Sequence, residues 1–175
     1  YVPMTARKTV RIAAGQGFWG DWLEAPVRQV EGGAIDYLVL DYLAEVTMSI
    51  LQKQRSRDPG AGYARDFVTQ MERILPTIAT NGVRVISNAG GVNPRACAAA
   101  VRAAADKLGV GDKVKIALVT GDDLLDELDA LTAAGEPFSN MDTGAPLSDV
   151  RSQVRSANAY LGMKSIVDAL DQGAT

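Results

Sequence analysis

The chain has 175 residues, a formal net charge of −3 and a sequence pI of about 5.0, with 47% hydrophobic and 22% charged residues. This balance is typical of a folded globular domain with its own core and excludes a disordered chain. We expect no nucleic-acid partner, because phosphate binding requires a concentrated basic face, and no membrane partner, because no apolar run approaches the roughly 18 residues that cross a bilayer.

The titratable side chains limit the chemistry that the sequence can support. It contains no histidine, and its single cysteine is Cys97. An internal disulfide is therefore excluded, and a lone cysteine is typical of a reducing compartment such as the cytoplasm. Without imidazole, any proton transfer by this chain has to use Asp, Glu, Lys, Tyr or Cys side chains.

The first predicted strand, residues 9–14, leads into a glycine-rich loop at residues 15–21. The glycines of this loop have the spacing of the GxGxxG dinucleotide fingerprint, and they are Gly15, Gly17 and Gly20. Phe18 and Trp19 weaken this match, because they are bulky where the fingerprint requires close approach to phosphate. In one interpretation these two aromatic residues line an apolar substrate pocket, and in the other they fasten the loop to the core.

The helix after this loop is predicted to run to about Val30. Asp21 and Glu24 have the spacing of a capping box, whereas Pro26 fits a later first turn. In a dinucleotide site the helix begins within the glycines, so that its amides meet the pyrophosphate. A helix that begins later, beside two carboxylates, argues against that site.

The second predicted strand, residues 35–40, delivers Asp41 to its carboxyl end, and a helix is predicted at residues 43–55. Asp41 and Glu45 are four residues apart, so both can face the crevice above the sheet. Such a pair can perform acid/base catalysis or hold a divalent cation through oxygen ligands. In the alternative interpretation, Asp41 caps the helix and Glu45 is a solvated surface residue.

A third helix is predicted at residues 63–79, kinked or ended by Pro76, and a strand at residues 83–87 leads into a Gly-Gly turn. Asn93 fits the N-cap of the next helix, and helix N-termini bind anions through free amides and the macrodipole. The candidate phosphate- or ligand-binding residues of this turn are Asn88, Gly90, Gly91 and Asn93. The alternative is an ordinary strand-to-helix connection.

Cys97 lies in the first turns of this helix, which is predicted at residues 94–108. The helix dipole can lower the pKa of a thiol there and favour a nucleophile. A cysteine among alanines is more often a small packed residue. Both roles therefore stay open.

Beyond this helix the alternation of strands and helices continues. The predicted elements are a buried strand at residues 113–120, a helix at 124–134, a surface loop at 135–150 and a last helix to about Leu170. This alternation predicts an α/β fold, with a parallel sheet covered by helices on both faces in a Rossmann-like three-layer sandwich.

The predicted sheet gathers the candidate residues at one edge. Open parallel sheets bind ligands at the carboxyl ends of their strands. The loop at 15–21, Asp41, the turn at 88–93 and Asp122 each follow a predicted strand. We therefore expect them to share one cleft, with Asp122 beside Phe18 in the substrate pocket.

Five motifs, in order along the chain, resemble the N-terminal region of the acyclic terpene utilisation protein AtuA family. They lie at residues 17–21, 36–51, 88–94, 121–123 and 156–162. The resemblance extends from about Val10 to the last residue, and Gln16 departs from the small residue expected at its position. Because members of the family are usually longer, the resemblance implies that residues 1–175 form a single α/β domain at the N-terminal end of a longer AtuA-like protein.

The family resemblance implies a role in the breakdown of citronellol- and geraniol-type terpenes, which proceeds through coenzyme A thioesters. We expect a cytoplasmic catabolic protein that acts on a branched acyl-CoA or a related acid by a reaction that is not assigned. The coenzyme A thioester is expected as a substrate ahead of NAD as a cofactor, with a homo-oligomer or a partner subunit as the assembly. The alternatives are a dinucleotide-binding redox domain and a non-catalytic subunit of an acyl-CoA enzyme complex.

Overall fold

A computed structural model describes residues 9–175, which contain three β-strands and six α-helices. In chain order the elements are β1 (Ile12–Gln16), α1 (Ala25–Gly32), β2 (Tyr37–Leu40), α2 (Glu45–Arg55), α3 (Arg65–Asn81), β3 (Arg84–Ser87), α4 (Pro94–Lys107), α5 (Leu128–Ala133) and α6 (Lys164–Asp171). The strands form an open parallel sheet in the order β1-β2-β3. This architecture confirms the predicted α/β fold and is consistent with a Rossmann-like sandwich.

The core lies against one face of the sheet, where alternate strand residues such as Ala13, Leu38 and Leu40 are buried. α1 packs on β1 and β2, and α3 lies between α1 and α4. These helices bury one apolar stripe each, as amphipathic helices on a sheet do. Ile12, which points to the other face of β1, is 67% exposed.

The connection between β1 and α1 differs from its prediction at both ends. β1 extends to Gln16, so Gly15 and Gln16 belong to the strand and not to the loop. Gly15 is required there by close packing, because a Cβ would lie 2.9 Å from Leu40 Cδ2 and 3.1 Å from Pro26 Cα. α1 begins only at Ala25, with Pro26 in its first turn and no side-chain cap.

The prediction of a strand at residues 113–120 is wrong. Val114 and Ile116 pack against the core, but residues 116–120 form no backbone hydrogen bond within the described part of the chain. A strand requires a neighbour on which its amides and carbonyls pair. Only Lys115 has one, because the Thr175 amide donates to its carbonyl at 3.0 Å.

The helix predicted at residues 124–134 is shorter than expected and occupies Leu128–Ala133. The Leu124 amide donates to the Ala157 carbonyl at 2.8 Å, and Asp123 forms an isolated antiparallel bridge with Asn158. These bonds hold the chain extended after Asp122, and α5 therefore begins only at Leu128. Among the described residues, no helix is both long enough and apolar enough to cross a membrane.

Candidate functional site

Asp41 and Asn88 follow neighbouring parallel strands and lie in direct contact. The Asn88 side-chain amide donates to Asp41 Oδ1 at 2.7 Å, and Asn88 Oδ1 accepts the Tyr42 amide at 2.8 Å. Asp41 Oδ1 also accepts the Leu43 amide at 3.2 Å. The structure therefore fixes one oxygen of an exposed carboxylate, while Oδ2 has no protein partner among the described residues.

Asp41 is not the cap of α2. The N-cap position is Ala44, and no side chain accepts a hydrogen bond from the first turn. The bond from the Leu43 amide closes a local turn that precedes the helix. The capping interpretation of Asp41 is thus wrong.

Glu45 is the first residue of α2 and is exposed. The Tyr160 hydroxyl donates to Glu45 Oε1 at 2.7 Å, across 115 residues of sequence. This bond lowers the pKa of Glu45 and raises the pKa of Tyr160, because it stabilises the carboxylate and the protonated phenol. Sequence reasoning did not single out Tyr160, since nothing local marks a partner that far away.

A metal site at Asp41 and Glu45 stays a prediction. Over residues 9–175 no group of three or more His, Cys, Asp or Glu side chains is arranged to hold a metal ion. The two carboxylates are placed at the end of β2 and the start of α2, but no hydrogen bond joins them. Their acid/base role likewise stays a prediction.

The Gly-Gly turn after β3 is folded by internal hydrogen bonds. The amide of Gly91 donates to the Asn88 carbonyl at 3.1 Å, that of Val92 to Gly62 at 3.0 Å and that of Asn93 to Gly90 at 3.0 Å. These three amides are engaged by protein carbonyls. The amide of Gly90 has no acceptor in the described part of the chain, so it is an open donor of the turn.

Close packing explains both glycines of this turn. A Cβ on Gly90 would lie 2.9 Å from Pro94 Cα. Gly91 has φ +52°, and a Cβ there would collide with Leu51 Cδ1 and lie 2.7 Å from the Gly62 carbonyl oxygen. The glycines therefore bring the turn against α2 and the chain before α3.

The predicted N-cap is confirmed. Asn93 Oδ1 accepts the Ala96 amide at 3.3 Å, and its side-chain amide donates to the Pro59 and Ala61 carbonyls at 2.9 and 2.8 Å. Asn93 thus joins α4 to the connection between α2 and α3. Whether this turn holds a phosphate stays a prediction.

A pocket of about 210 Å³ lies between this turn and residues 120–123. It brings Asp122 and Asp123 beside Arg55 and Arg95, two cations that sequence reasoning missed because isolated arginines on helices carry no local signal. Arg55 Nη1 donates to the Val92 carbonyl at 2.5 Å and lies 3.7 Å from Asp123 Oδ2. The pocket brings residues 91–93 of the turn beside Asp122, but neither Asp41 nor the loop at 15–21 lines it, so the single shared cleft stays a prediction.

The aromatic residues of the β1–α1 loop have different environments. Trp19 Nε1 donates to Asp66 Oδ1 at 3.0 Å, and the ring packs against the core, so Trp19 fastens the loop. Phe18 is 60% exposed. A substrate contact by Phe18 stays a prediction.

The glycine-rich loop lacks the geometry of the dinucleotide fingerprint. Asp21 accepts the Gly17 amide at 3.0 Å and the Trp22 amide at 2.7 Å, so it shapes the loop and does not cap α1. Gly15 lies inside β1, and α1 starts five residues after Gly20. The helix amides are therefore not at the glycines, where a pyrophosphate would need them.

Cys97 is buried in the core, and burial raises the pKa of its thiol to about 12. A thiol with this pKa is protonated near neutral pH and is a poor nucleophile. The interpretation of Cys97 as a small packed residue is confirmed.

Comparison with known proteins gives one match. The family model described as "Acyclic terpene utilisation family protein AtuA" matches residues 10–175. No curated protein and no solved structure matches the chain. Because the family model covers nearly the whole sequence, the chain belongs to the acyclic terpene utilisation AtuA family.

Proposed function

We propose that this protein acts in terpenoid catabolism in the cytoplasm by binding a branched acyl-CoA or a related acid at the carboxyl edge of its sheet. Family membership supports the pathway. The observation that carries the site is the Asp41 carboxylate, held through one oxygen by Asn88 and the Leu43 amide while its other oxygen has no partner within residues 9–175.

Asp41 is proposed as the acid/base group. In a chain without histidine, a carboxylate with one oxygen fixed and one free is suited to accept a proton from a bound substrate. Glu45 is proposed as the second carboxylate, whose access Tyr160 controls through its hydroxyl. The same pair can serve as oxygen ligands of a divalent cation.

The anionic end of the substrate is proposed to bind at the turn after β3. Arg95, the open Gly90 amide and the N-terminus of α4 together supply positive potential beside the pocket of about 210 Å³. Asn88, Gly91 and Asn93 shape this turn through the bonds described above.

The apolar chain of the substrate is proposed to meet the exposed Phe18 ring, with Asp122 at the far side of the cleft. Trp19 holds the loop on α3. Gly15 packs inside β1, whereas Gly17 and Gly20 lie in this loop. Gly20 has a φ of +95°, which residues with a side chain rarely adopt.

Thermal stability in the presence of ligands tests this function. A ligand at about 100 times its Kd stabilises the folded state by about 2.7 kcal/mol. We expect the melting temperature to rise by several degrees with a branched acyl-CoA, and less with NADH or coenzyme A alone. Asp41→Asn should abolish turnover while Asp149→Asn, a matched change in the 135–150 loop, leaves it intact. No shift with any acyl-CoA or acid would contradict the proposal.

A second candidate is a non-catalytic subunit of an acyl-CoA enzyme complex. Exposed apolar side chains favour it, among them Ile12 on β1, Val46 on α2 and Met163 before α6. Light scattering and sizing chromatography with the acyl-CoA enzyme as partner separate the two candidates. A stable complex without turnover, and with no ligand-induced rise in melting temperature, would favour the subunit.

A further inference from the structure

Three buried polar side chains form a continuous hydrogen-bonded chain between the end of β2 and the β1–α1 loop. The Tyr42 hydroxyl donates to Gln70 Oε1, Gln70 Nε2 donates to Gln16 Oε1 at 3.2 Å, and Gln16 Nε2 donates to the Phe18 carbonyl at 3.1 Å. Their exposed fractions are 0%, 2% and 5% for Tyr42, Gln70 and Gln16. Buried polar groups at this depth are retained only where their partners satisfy them.

The direction of this chain is fixed by its last member. The Phe18 carbonyl can only accept, so the amide nitrogen of Gln16 has to face it. The Gln16 oxygen then accepts from Gln70, and the Gln70 oxygen accepts from Tyr42. Each of the three side chains therefore has one orientation, and their hydrogen bonds hold the β1–α1 loop in one position.

α3 supports the whole β1–α1 connection through one face. Asp66, Gln70 and Arg73 stand at positions i, i+4 and i+7, so they line one side of the helix. Asp66 binds the Trp19 indole at 3.0 Å, and Arg73 binds Glu24 at 2.6 Å, on either side of the Gln70 contact. Gln70 is the buried member of this row, whereas the Arg73 pair is exposed.

The Tyr42 end of the hydrogen-bonded chain lies next to Asp41, the proposed acid/base group. Tyr42 follows Asp41, and its amide donates to Asn88 Oδ1, whose own amide holds Asp41. The Tyr42 ring is fixed edge-on against Phe67, with centroids 5.8 Å apart. A displacement of Tyr42 therefore shifts the backbone next to Asp41 and the Asn88 side chain that holds it.

We propose that Gln70 is a positioning residue that couples the β1–α1 loop to the Asp41–Asn88 pair, an inference that rests on the proposed function of that pair. Gln70 touches neither the substrate nor the reacting atoms. It acts through Gln16 on the loop and through Tyr42 on the end of β2. One buried amide is thereby bonded towards both the β1–α1 loop and the end of β2.

Gln70→Leu tests the coupling in the protein without ligand. It leaves the Tyr42 hydroxyl and the Gln16 oxygen without partners, so we expect amide hydrogen exchange at residues 17–21 to accelerate on the order of tenfold. The NMR signals of the Asn88 side-chain amide should shift in the same variant. Met71→Leu, a buried change on the same helix that breaks no hydrogen bond, is the control and should leave both signals in place.

A triple variant separates positioning from stability. The three substitutions Gln16→Leu, Tyr42→Phe and Gln70→Leu replace every side chain of the hydrogen-bonded chain with an apolar one. No buried polar side-chain group is then left without a partner, so the melting temperature should recover towards that of the wild type. Exchange at residues 17–21 should stay fast, because the Phe18 carbonyl has lost the Gln16 side-chain donor and keeps only the Asp21 amide. Slow exchange in the triple variant would overturn the proposal.

The same variants distinguish failure of this inference from failure of the proposed function. If Gln70→Leu lowers the melting temperature with the loop and Asn88 signals unchanged, the coupling is overturned whatever the ligand. If both signals move but no acyl-CoA binds the wild type, the coupling holds and the proposed function fails. Should Gln70→Leu not fold, Gln16→Leu applies the same two readouts from the loop side.

Discussion

The two parts of the chain before and after residue 110 differ sharply in how they are held. Residues 12–110 contain all three strands and, among the described residues, every buried hydrophobic side chain except Leu128 and Ala174. The part after residue 113 packs Val114 and Ile116 against this core. Beyond them it is held by backbone bridges, by surface ion pairs such as that between Arg151 and Asp129, and by the Tyr160–Glu45 bond. Surface ion pairs contribute little to stability, so the stability of the molecule resides in the first part.

Leu38→Ala is the strongest test of this difference. Leu38 is fully buried on β2 beneath α1, so its truncation leaves a cavity in the first part. We expect a loss of about 3 kcal/mol in the free energy of unfolding, measured by urea denaturation. Leu118→Ala, in the exposed segment after α4, should cost roughly 0.5 kcal/mol or less. Similar losses in both variants would contradict the difference.

The sequence predicted the first part well because its patterns are local. Apolar runs located β1, β2 and β3, and the Asn93 cap and the Pro94 start of α4 followed from single residues. The predicted strand at residues 113–120 has an equally apolar sequence. It failed because a strand depends on a hydrogen-bonding neighbour, and no local pattern reports whether that neighbour exists.

The candidate site was predictable only in part, for the same reason. The carboxyl ends of the strands follow from the alternation of strands and helices, so the proximity of Asp41 to Asn88 could be expected. The partners Tyr160 and Arg55 reach the cleft from distant segments, and the bonds that occupy the Gly91 amide depend on tertiary packing. Periodicity and caps carry no information about such contacts.

Gly91→Ala and Gly144→Ala compare the packing of one turn in the first part of the chain with that of one loop in the second. Gly91 and Gly144 both have positive φ, at +52° and +72°, but only Gly91 has close neighbours, in Leu51 and Gly62. We expect Gly91→Ala to cost about 2 kcal/mol through backbone strain and overpacking, and Gly144→Ala about 1 kcal/mol through strain alone. Equal losses of stability in urea would show that the turn after β3 is no more tightly packed than the loop at residues 135–150.

The smallest expected effect concerns the Tyr160–Glu45 bond that joins the two parts. Glu45 has its pKa lowered from 4.5 by the Tyr160 hydroxyl, so its contribution is present above that value and is lost as the pH falls through the lowered pKa. Tyr160 has its pKa raised from 10.0, so its contribution is present below that value and is lost as the pH rises through the raised pKa. The bond should therefore persist from below pH 4.5 to above pH 10, and open only beyond the two shifted pKa values.

Limited proteolysis at residues 154–163, carried out within this pH range and beyond both of its ends, measures the opening. Tyr160 is 88% exposed, and its ring makes no aromatic pair among the described residues, so its hydroxyl is the direct contact of this side chain with α2. The bridge between Asn158 and Asp123 ties the segment to residues 122–124 in addition. We expect Tyr160→Phe to make cleavage fast at neutral pH and to return the pKa of Glu45 towards 4.5. Tyr63→Phe, which removes a hydroxyl that forms no hydrogen bond in the described structure, is the matched control. If cleavage and the Glu45 titration are the same in wild type and Tyr160→Phe, the two parts are joined by other contacts, and Tyr160 does not control access to Glu45.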